Sequence, residues 1–299
     1  MNEPSSAVRG RRRASLDWQV FALLACTLFA LDAYAGSNRL LATGGVMEVE
    51  GSAGGGAVPW ALIAGLGTDA QIGGSAFCTQ AHQQKFALRS CGLALGFYDR
   101  VEVSYARQDF DLDKIIPGES IAVDVFGAKV RLFGDAVYDQ DLWYPQLSAG
   151  LQYKNNKDFD LVPTLLDAKD DADVDVYVAA TKVYLAGPFS RTWLVNATLR
   201  ATRGNQFGIL GFGGDRKDGR SINAEFSAAM FVSDTIVAGA EYRQKPDNLS
   251  SFKEQDYWDL FAAFFPSKHF SLTAAYADLG RIATMPGQQG WYLSVQGSL

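Results

Sequence analysis

The sequence predicts an all-β fold: a transmembrane, antiparallel, up-and-down β-barrel of about 14 strands, with about 12 as the alternative. Three observations carry this. Apolar residues recur at every second position in segment after segment. No segment shows the 3.6-residue period of an amphipathic helix. The links between segments alternate between short and long along the chain.

The first element is a leader. A basic lead, "RGRRRASLDWQ", precedes the apolar run Val20–Leu31, and Ala33 and Ala35 supply the small-residue pattern of a cleavage site. Residues 1–35 therefore read as a signal peptide and residues 36–299 as a single outer-membrane barrel domain. A membrane anchor is disfavoured because the run is short and ends at Asp32. "LLAC", ending at Cys26, leaves a lipoprotein as an alternative, although the apolar run continues past it. Cys78 and Cys91 remain in an oxidising compartment, on successive predicted strands. They can bridge only if the register sets them opposite, with Cα atoms within about 7 Å.

The mature chain then reads strand by strand. Asn38–Gly51 and Ala57–Leu66 are taken as the first two, joined at "SAGGG". Later strands alternate cleanly. Leu147, Ala149, Leu151 and Tyr153 oppose Ser148, Gly150 and Gln152. Trp193, Val195, Ala197 and Leu199 oppose Asn196, Thr198, Arg200 and Thr202. Ile222, Ala224, Phe226, Ala228, Met230 and Val232 oppose Asn223, Glu225 and Ser227. Ile236, Ala238, Ala240 and Tyr242 oppose Val237, Gly239 and Glu241. Phe270, Leu272, Ala274 and Tyr276 oppose Ser271 and Thr273, and the chain closes with "WYLSVQGSL".

Short links fall at Gly67–Asp69, Tyr98–Arg100, Gly187–Arg191, Ser233–Asp234 and Pro266–His269. Longer polar ones cover Asp111–Glu119, Asn155–Asp173, Gly204–Arg220, Lys245–Gln255 and Leu279–Gln289. Ala81–Gln84 is a short member of the long class, and Phe133–Tyr144 a long member of the short class. A soluble sandwich has no reason to keep its short turns at one end. An outer-membrane barrel does, with short periplasmic turns and long external loops. Counting back from Leu299 with both ends periplasmic gives about 14 strands, or about 12 if the N-terminal segment plugs the lumen. The rival is a secreted β-sandwich or soluble barrel, whose alternation would face a protein core. Trp60, Trp193, Trp258, Trp291, Tyr105, Tyr242 and Tyr276 fall near predicted strand ends, where aromatic girdles form.

Several long motifs carry a resemblance: "RLLATGGV", "AGGGAVPWALIAG", "FGAKVRLFGDAVYDQD", "LQYKNNKDFD", "ATKVYLAG", "NATLRATRGNQFGILGFGGD", "EYRQKPDNLS" and "GWYLSVQ". From about Arg39 to Gln296 the chain resembles a bacterial family catalogued as domain of unknown function 3034. The resemblance implies a Gram-negative outer-membrane barrel and brings no activity and no site residues. One departure is the terminal Leu299, where barrel proteins often carry an aromatic insertion signal.

Candidate lumen-lining charges come from the polar faces. Lys129, Arg131, Lys182 and Arg200 would form a positive wall, and Glu225, Glu241 and Asp259 a negative one. Such rings orient solutes and set ion selectivity; the alternative is a salt-bridge network that closes the barrel. A bulge at Gly127 would turn Lys129 and Arg131 over. "GNQFGILGFGGD", Gly204–Asp215, lacks the Lys-Ser/Thr of a phosphate loop and reads as a loop folding inward or packing over the mouth. Asp171, Asp173 and Asp175 have calcium-like spacing, but Val176 stands where a calcium loop needs Gly. His82 and His269 fall at opposite ends, and Ser75 and Ser90 reach His82 only under generous assumptions.

The favoured expectation is a passive porin-like channel for small polar solutes, without cofactor or metal. A closed barrel serving as an envelope structural or surface-interaction protein is the alternative, and an outer-membrane hydrolase the third. Expected partners are outer-membrane lipid, lipopolysaccharide and the barrel-insertion machinery. The net charge of −6 argues against nucleic acid.

Overall fold

Strands in this chain are built by period-two patterning, and the computed structural model, which describes Leu41, Ala42 and residues 44–299, follows it closely. The predicted leader, and the first residues of the predicted strand Asn38–Gly51, lie outside the described residues. Among the described residues, two short strands, β1 (Val46–Met47) and β2 (Ala53–Gly54), form a hairpin. The remaining twelve close one barrel. These are β3 (Ile72–Gln83), β4 (Ala87–Phe97), β5 (Val101–Asp111), β6 (Ser120–Phe133), β7 (Gln146–Asn156), β8 (Ala172–Tyr184), β9 (Trp193–Thr202), β10 (Ser221–Phe231), β11 (Ile236–Arg243), β12 (Tyr257–Ser267), β13 (Phe270–Asp278) and β14 (Gln289–Ser298). Each pairs antiparallel with the next. β14 returns to β3, from Gly290 opposite Gln83 to Ser298 opposite Ser75. The Leu299 carbonyl accepts the Leu66 and Gly74 amides, so the C-terminus is tied to the start of the wall.

The barrel has twelve strands, the alternative count. The predicted strands Asn38–Gly51 and Ala57–Leu66 do not join the wall. Gly45 and Gly51 take left-handed φ values, which break the first. Pro59 has no amide to give a ladder in the second. Residues 44–66 instead lie inside the barrel, almost wholly buried.

The wall is inside-out relative to a soluble protein. Large apolar side chains face outward round the whole circumference, among them Leu95, Val103, Phe126, Leu151, Val178, Leu199, Phe226, Leu260, Leu272, Ile222 at 77% exposure and Leu293 at 66%. A continuous belt of this kind far exceeds what a water-soluble monomer exposes. Aromatic side chains cluster on this outer face, as in Tyr105–Phe126 and the run Trp258, Tyr276, Trp291. Trp60 does not join them, because it lies inside the lumen. Cys78 and Cys91 are opposite each other on β3 and β4, with Cα atoms 4.1 Å apart, and form a disulfide on the outer face.

The two ends differ as the link lengths require. Turns 98–100, 134–145, 185–192, 232–235 and 268–269 gather at one end, and links 84–86, 112–119, 157–171, 203–220, 244–256 and 279–288 at the other. These are called the short-turn and long-loop ends below.

Candidate functional site: a hairpin inside the lumen

A two-residue ladder cannot satisfy the backbone of a 23-residue buried segment, so its N–H and C=O groups must find partners elsewhere. They find polar side chains of the wall. The Met47 amide donates to Gln296 at 2.8 Å and the Ala57 amide to Glu241 at 2.8 Å. Glu102 receives the Ala53 and Ala64 amides at 3.2 and 2.9 Å. Ser90 and Gln108 donate to the Val49 carbonyl, Thr198 to that of Pro59, and Gln146 and Ser148 to that of Ala61. Lys129 donates to the carbonyls of Ala53 and Trp60 while pairing with Glu102 at 3.2 Å. Close approach at the tip requires glycine. A Cβ on Gly55 would sit 1.8 Å from a Glu241 oxygen, and one on Gly56 would sit 1.9 Å from the Tyr292 hydroxyl.

At the centre of the contact is a buried charge cluster. Glu50, on the hairpin, meets Arg243 at 3.0 Å, Arg200 at 3.4 Å and the ammonium of Lys154. Arg200 reaches Glu225 at 2.5 Å and Asp175 at 3.5 Å. Arg243 reaches Glu225 at 3.2 Å and Lys154 reaches Asp175 at 2.8 Å. Three cations thus face Glu50, Asp175 and Glu225. Glu48 stands beside them: one oxygen accepts Gln152 at 2.6 Å and the other has no hydrogen-bond partner. Burial, and then the charge on Glu50, push the Glu48 carboxyl well up. Burial also works to raise Glu50, but Arg243, Lys154 and Arg200 outweigh it and hold that carboxyl far below its ordinary range. Of the two hairpin carboxyls, Glu48 is therefore the one disposed to hold a proton and Glu50 the one held as a carboxylate.

A second closure lies at the long-loop end. Residues 204–214 fold inward and are buried. Lys154 donates to the Phe207 carbonyl and Asn156 to that of Ile209. The Arg243 guanidinium lies 4.1 Å from the Phe207 ring centre. Lys245 bonds Gln206 and pairs with Glu254 at 3.4 Å. Burial lowers the Lys245 ammonium and raises the Glu254 carboxyl.

The predicted lumen charges are divided by this geometry. Lys129, Arg200, Glu225, Glu241 and Asp259 point inward, where each bonds a neighbour; Asp259 accepts from Tyr257 at 2.6 Å. Arg131 points inward at the short-turn rim and pairs with Asp99 and Asp135. The wall irregularity lies between Arg131 and Phe133, and Gly127 keeps its place between Ser104 and Gln152. Lys182 is on the outer face, opposite Val195, with its ammonium covered by the carbonyls of Asp139 and Leu142. Cations and carboxylates interleave instead of forming two opposed walls. Asp171, Asp173 and Asp175 also diverge: Asp173 pairs with Arg203 and Arg220 at the surface, while Asp175 enters the lumen. His82 points outward at the long-loop end. His269 sits at the other end, 3.0 Å from the Ser298 carbonyl.

Sequence reasoning missed Glu48, Glu50, Glu102, Lys154, Arg243 and Lys245. Lys154 and Arg243 carry a usable signal, since each continues a polar face already read from Gln152 and Glu241.

Among solved structures the chain is similar to the Acinetobacter baumannii outer membrane protein Omp33, with 8% identity over 78% of this chain and 100% of that one, at a TM-score of 0.46. The NanC porin shows 6% identity over 75% and 97%, at 0.45. An outer membrane channel from Pseudomonas putida F1 shows 13% over 81% and 96%, at 0.40. No curated protein matches the chain. The sequence profile described as "Protein of unknown function (DUF3034)" matches residues 43–296, and the chain belongs to that family.

Proposed function

We propose that this is an outer-membrane barrel, shut in the state described, whose hairpin 44–66 is the gate of a channel for small polar solutes. Strands of 8 to 14 residues and a circumferential apolar belt suit a bilayer. A closed ladder leaves no unpaired strand edge in lipid. The expected surroundings are membrane lipid, with lipopolysaccharide at the long-loop end, reached through the barrel-insertion machinery. Catalysis is not part of the proposal: His82 faces outward while Ser75 and Ser90 face inward.

One observation carries the gate reading. The hairpin enters and leaves the lumen at the same end, with Gly44 packed against Gly65 beside the short turns. It can therefore withdraw without threading the barrel. Behind it the wall is lined by Ser, Thr, Gln, Asn and charged side chains, which water can solvate as well as the hairpin does. A permanently closed scaffold is the second reading, favoured by the zero exposure of Glu50 within its cation cluster.

The test is planar-bilayer conductance of the chain refolded from Gly36. The parent is expected to be silent. A variant lacking 44–66, with residues 205–212 replaced by a short glycine linker, is expected to give conducting steps. If that variant folds, as judged by heat-modifiable gel mobility, and stays silent at every voltage, the gate reading fails and the scaffold reading stands.

A further inference from the structure

The inward face of the wall changes character near the short turns. Val183, Leu194, Phe231, Val237 and Phe265, from β8 to β12 in turn, all point inward there. Nearer the barrel centre the corresponding faces carry Thr181, Asn196, Ser227 and Glu241. The hairpin turns its own apolar side chains, Val46, Trp60 and Leu62, towards this sector. The two surfaces do not meet fully. Between them is a cavity of about 360 Å³ that opens between the turns 185–192 and 232–235. Protein interiors hold few voids larger than a water molecule, so a gap this size between apolar surfaces is not ordinary packing. Polar groups are confined to its mouth, at Ser190, Arg191, Thr192, Ser233 and Asp234, while the deeper lining offers a water cluster few partners; apolar cavities of about 150 Å³ stay dry and take up benzene. Ligand pockets begin at about 300 Å³.

We propose that this cavity binds a small aliphatic molecule entering from the short-turn end. Its walls come from both hairpin and barrel, so the occupied site is a property of the shut state. Ligand binding there holds the hairpin in place by mass action. The site does not depend on whether the barrel conducts.

The experiment uses the chain refolded from Gly36 in detergent, with Trp143, Trp193, Trp258 and Trp291 changed to Phe, so that Trp60 is the one remaining tryptophan. 1-Bromooctane quenches tryptophan on contact and partitions equally into the micelles of every variant. Two variants narrow the cavity, Ala229→Val and Ala263→Leu, and heat-modifiable mobility reports that each folds. The parent is expected to lose Trp60 emission along a saturating curve. Both narrowed variants are expected to show only a shallow, non-saturating loss. Equal quenching in all three overturns the proposal. So does saturable quenching that emerges only when the residues before Leu41 are removed, because the chain itself would then be the occupant.

Discussion

The hairpin is held by charge at its tip and by oil at its base. Glu50 meets three cations, Lys154, Arg200 and Arg243, all shut away from water. Around Trp60 and Leu62 the partners are aliphatic and aromatic, and a void remains. Buried charges tolerate no lost partner, because the survivor keeps its desolvation cost. Apolar surfaces lose the transfer free energy of what they had buried plus a cavity term, which shrinks where the site can collapse. The tip therefore sets where the hairpin sits, and the base sets how firmly it is packed. A cysteine placed at the buried position Ala57 reads this directly, since maleimide reaches it only when the hairpin leaves the lumen. Cys78 and Cys91 are already bonded to each other.

The largest effect is expected at the tip. Glu50→Ala leaves Lys154, Arg200 and Arg243 with two of their three carboxylate partners, Asp175 and Glu225. Removing one partner from a buried ion cluster costs about 3–5 kcal/mol, so labelling should quicken roughly 150- to 5,000-fold. An unchanged rate would mean that the cluster does not hold the hairpin.

Glu48 sharpens the same half through pH. Its carboxyl is raised in the shut state and returns to the ordinary glutamate range when water reaches it. Between those values the shut state holds one more proton than the released state. Raising the pH therefore weakens closure, by up to about tenfold per unit for one proton. The gain is complete below the ordinary glutamate range and levels off once Glu48 is ionised in both states. Glu48→Gln should flatten the labelling rate across that window. A slope that survives the substitution would assign the proton elsewhere.

At the base, Leu62→Ala is expected to cost about 2 kcal/mol, near the low end for a buried leucine because the neighbouring void already denies it some contacts. Labelling should rise roughly 30-fold, with no change in its pH dependence. If Leu62→Ala altered the pH profile, the two halves would not be separable.

The same contrast explains what was legible in the sequence. β9, β10 and β11 could be read face by face because an apolar outer belt and a polar inner wall impose opposite polarities on alternate residues. The hairpin could not, because inside a barrel both of its faces are buried and no period survives. "GVMEVEG" imitates a strand since Glu48 and Glu50 share a parity, yet both point at the same cation cluster. Lys182 was misplaced for a related reason. In the β8–β12 sector near the short turns the lumen is apolar, so Val183 points in and Lys182 out, which inverts the rule that serves mid-barrel. The disulfide needed the register of β3 against β4, which alternation alone does not fix.

The smallest expected effect tests the seam between the halves. Trp60 has its ring in the apolar base while its indole N–H donates to Ser227 at 2.9 Å, and Ser227 in turn donates to Glu241 at 2.7 Å. Glu241 accepts the Ala57 amide, so one chain of hydrogen bonds joins base to tip. Trp60→Phe keeps most of the apolar contact and removes the donor, a loss of about 1 kcal/mol, or roughly fivefold in labelling. Ser227→Ala should cost more, because it strips a donor from Glu241 as well as the acceptor from Trp60. In the double variant the two losses should sum to less than their separate values, since the contact they share is removed only once. Full additivity would show that base and tip grip the hairpin independently and that the Trp60–Ser227 bond couples nothing.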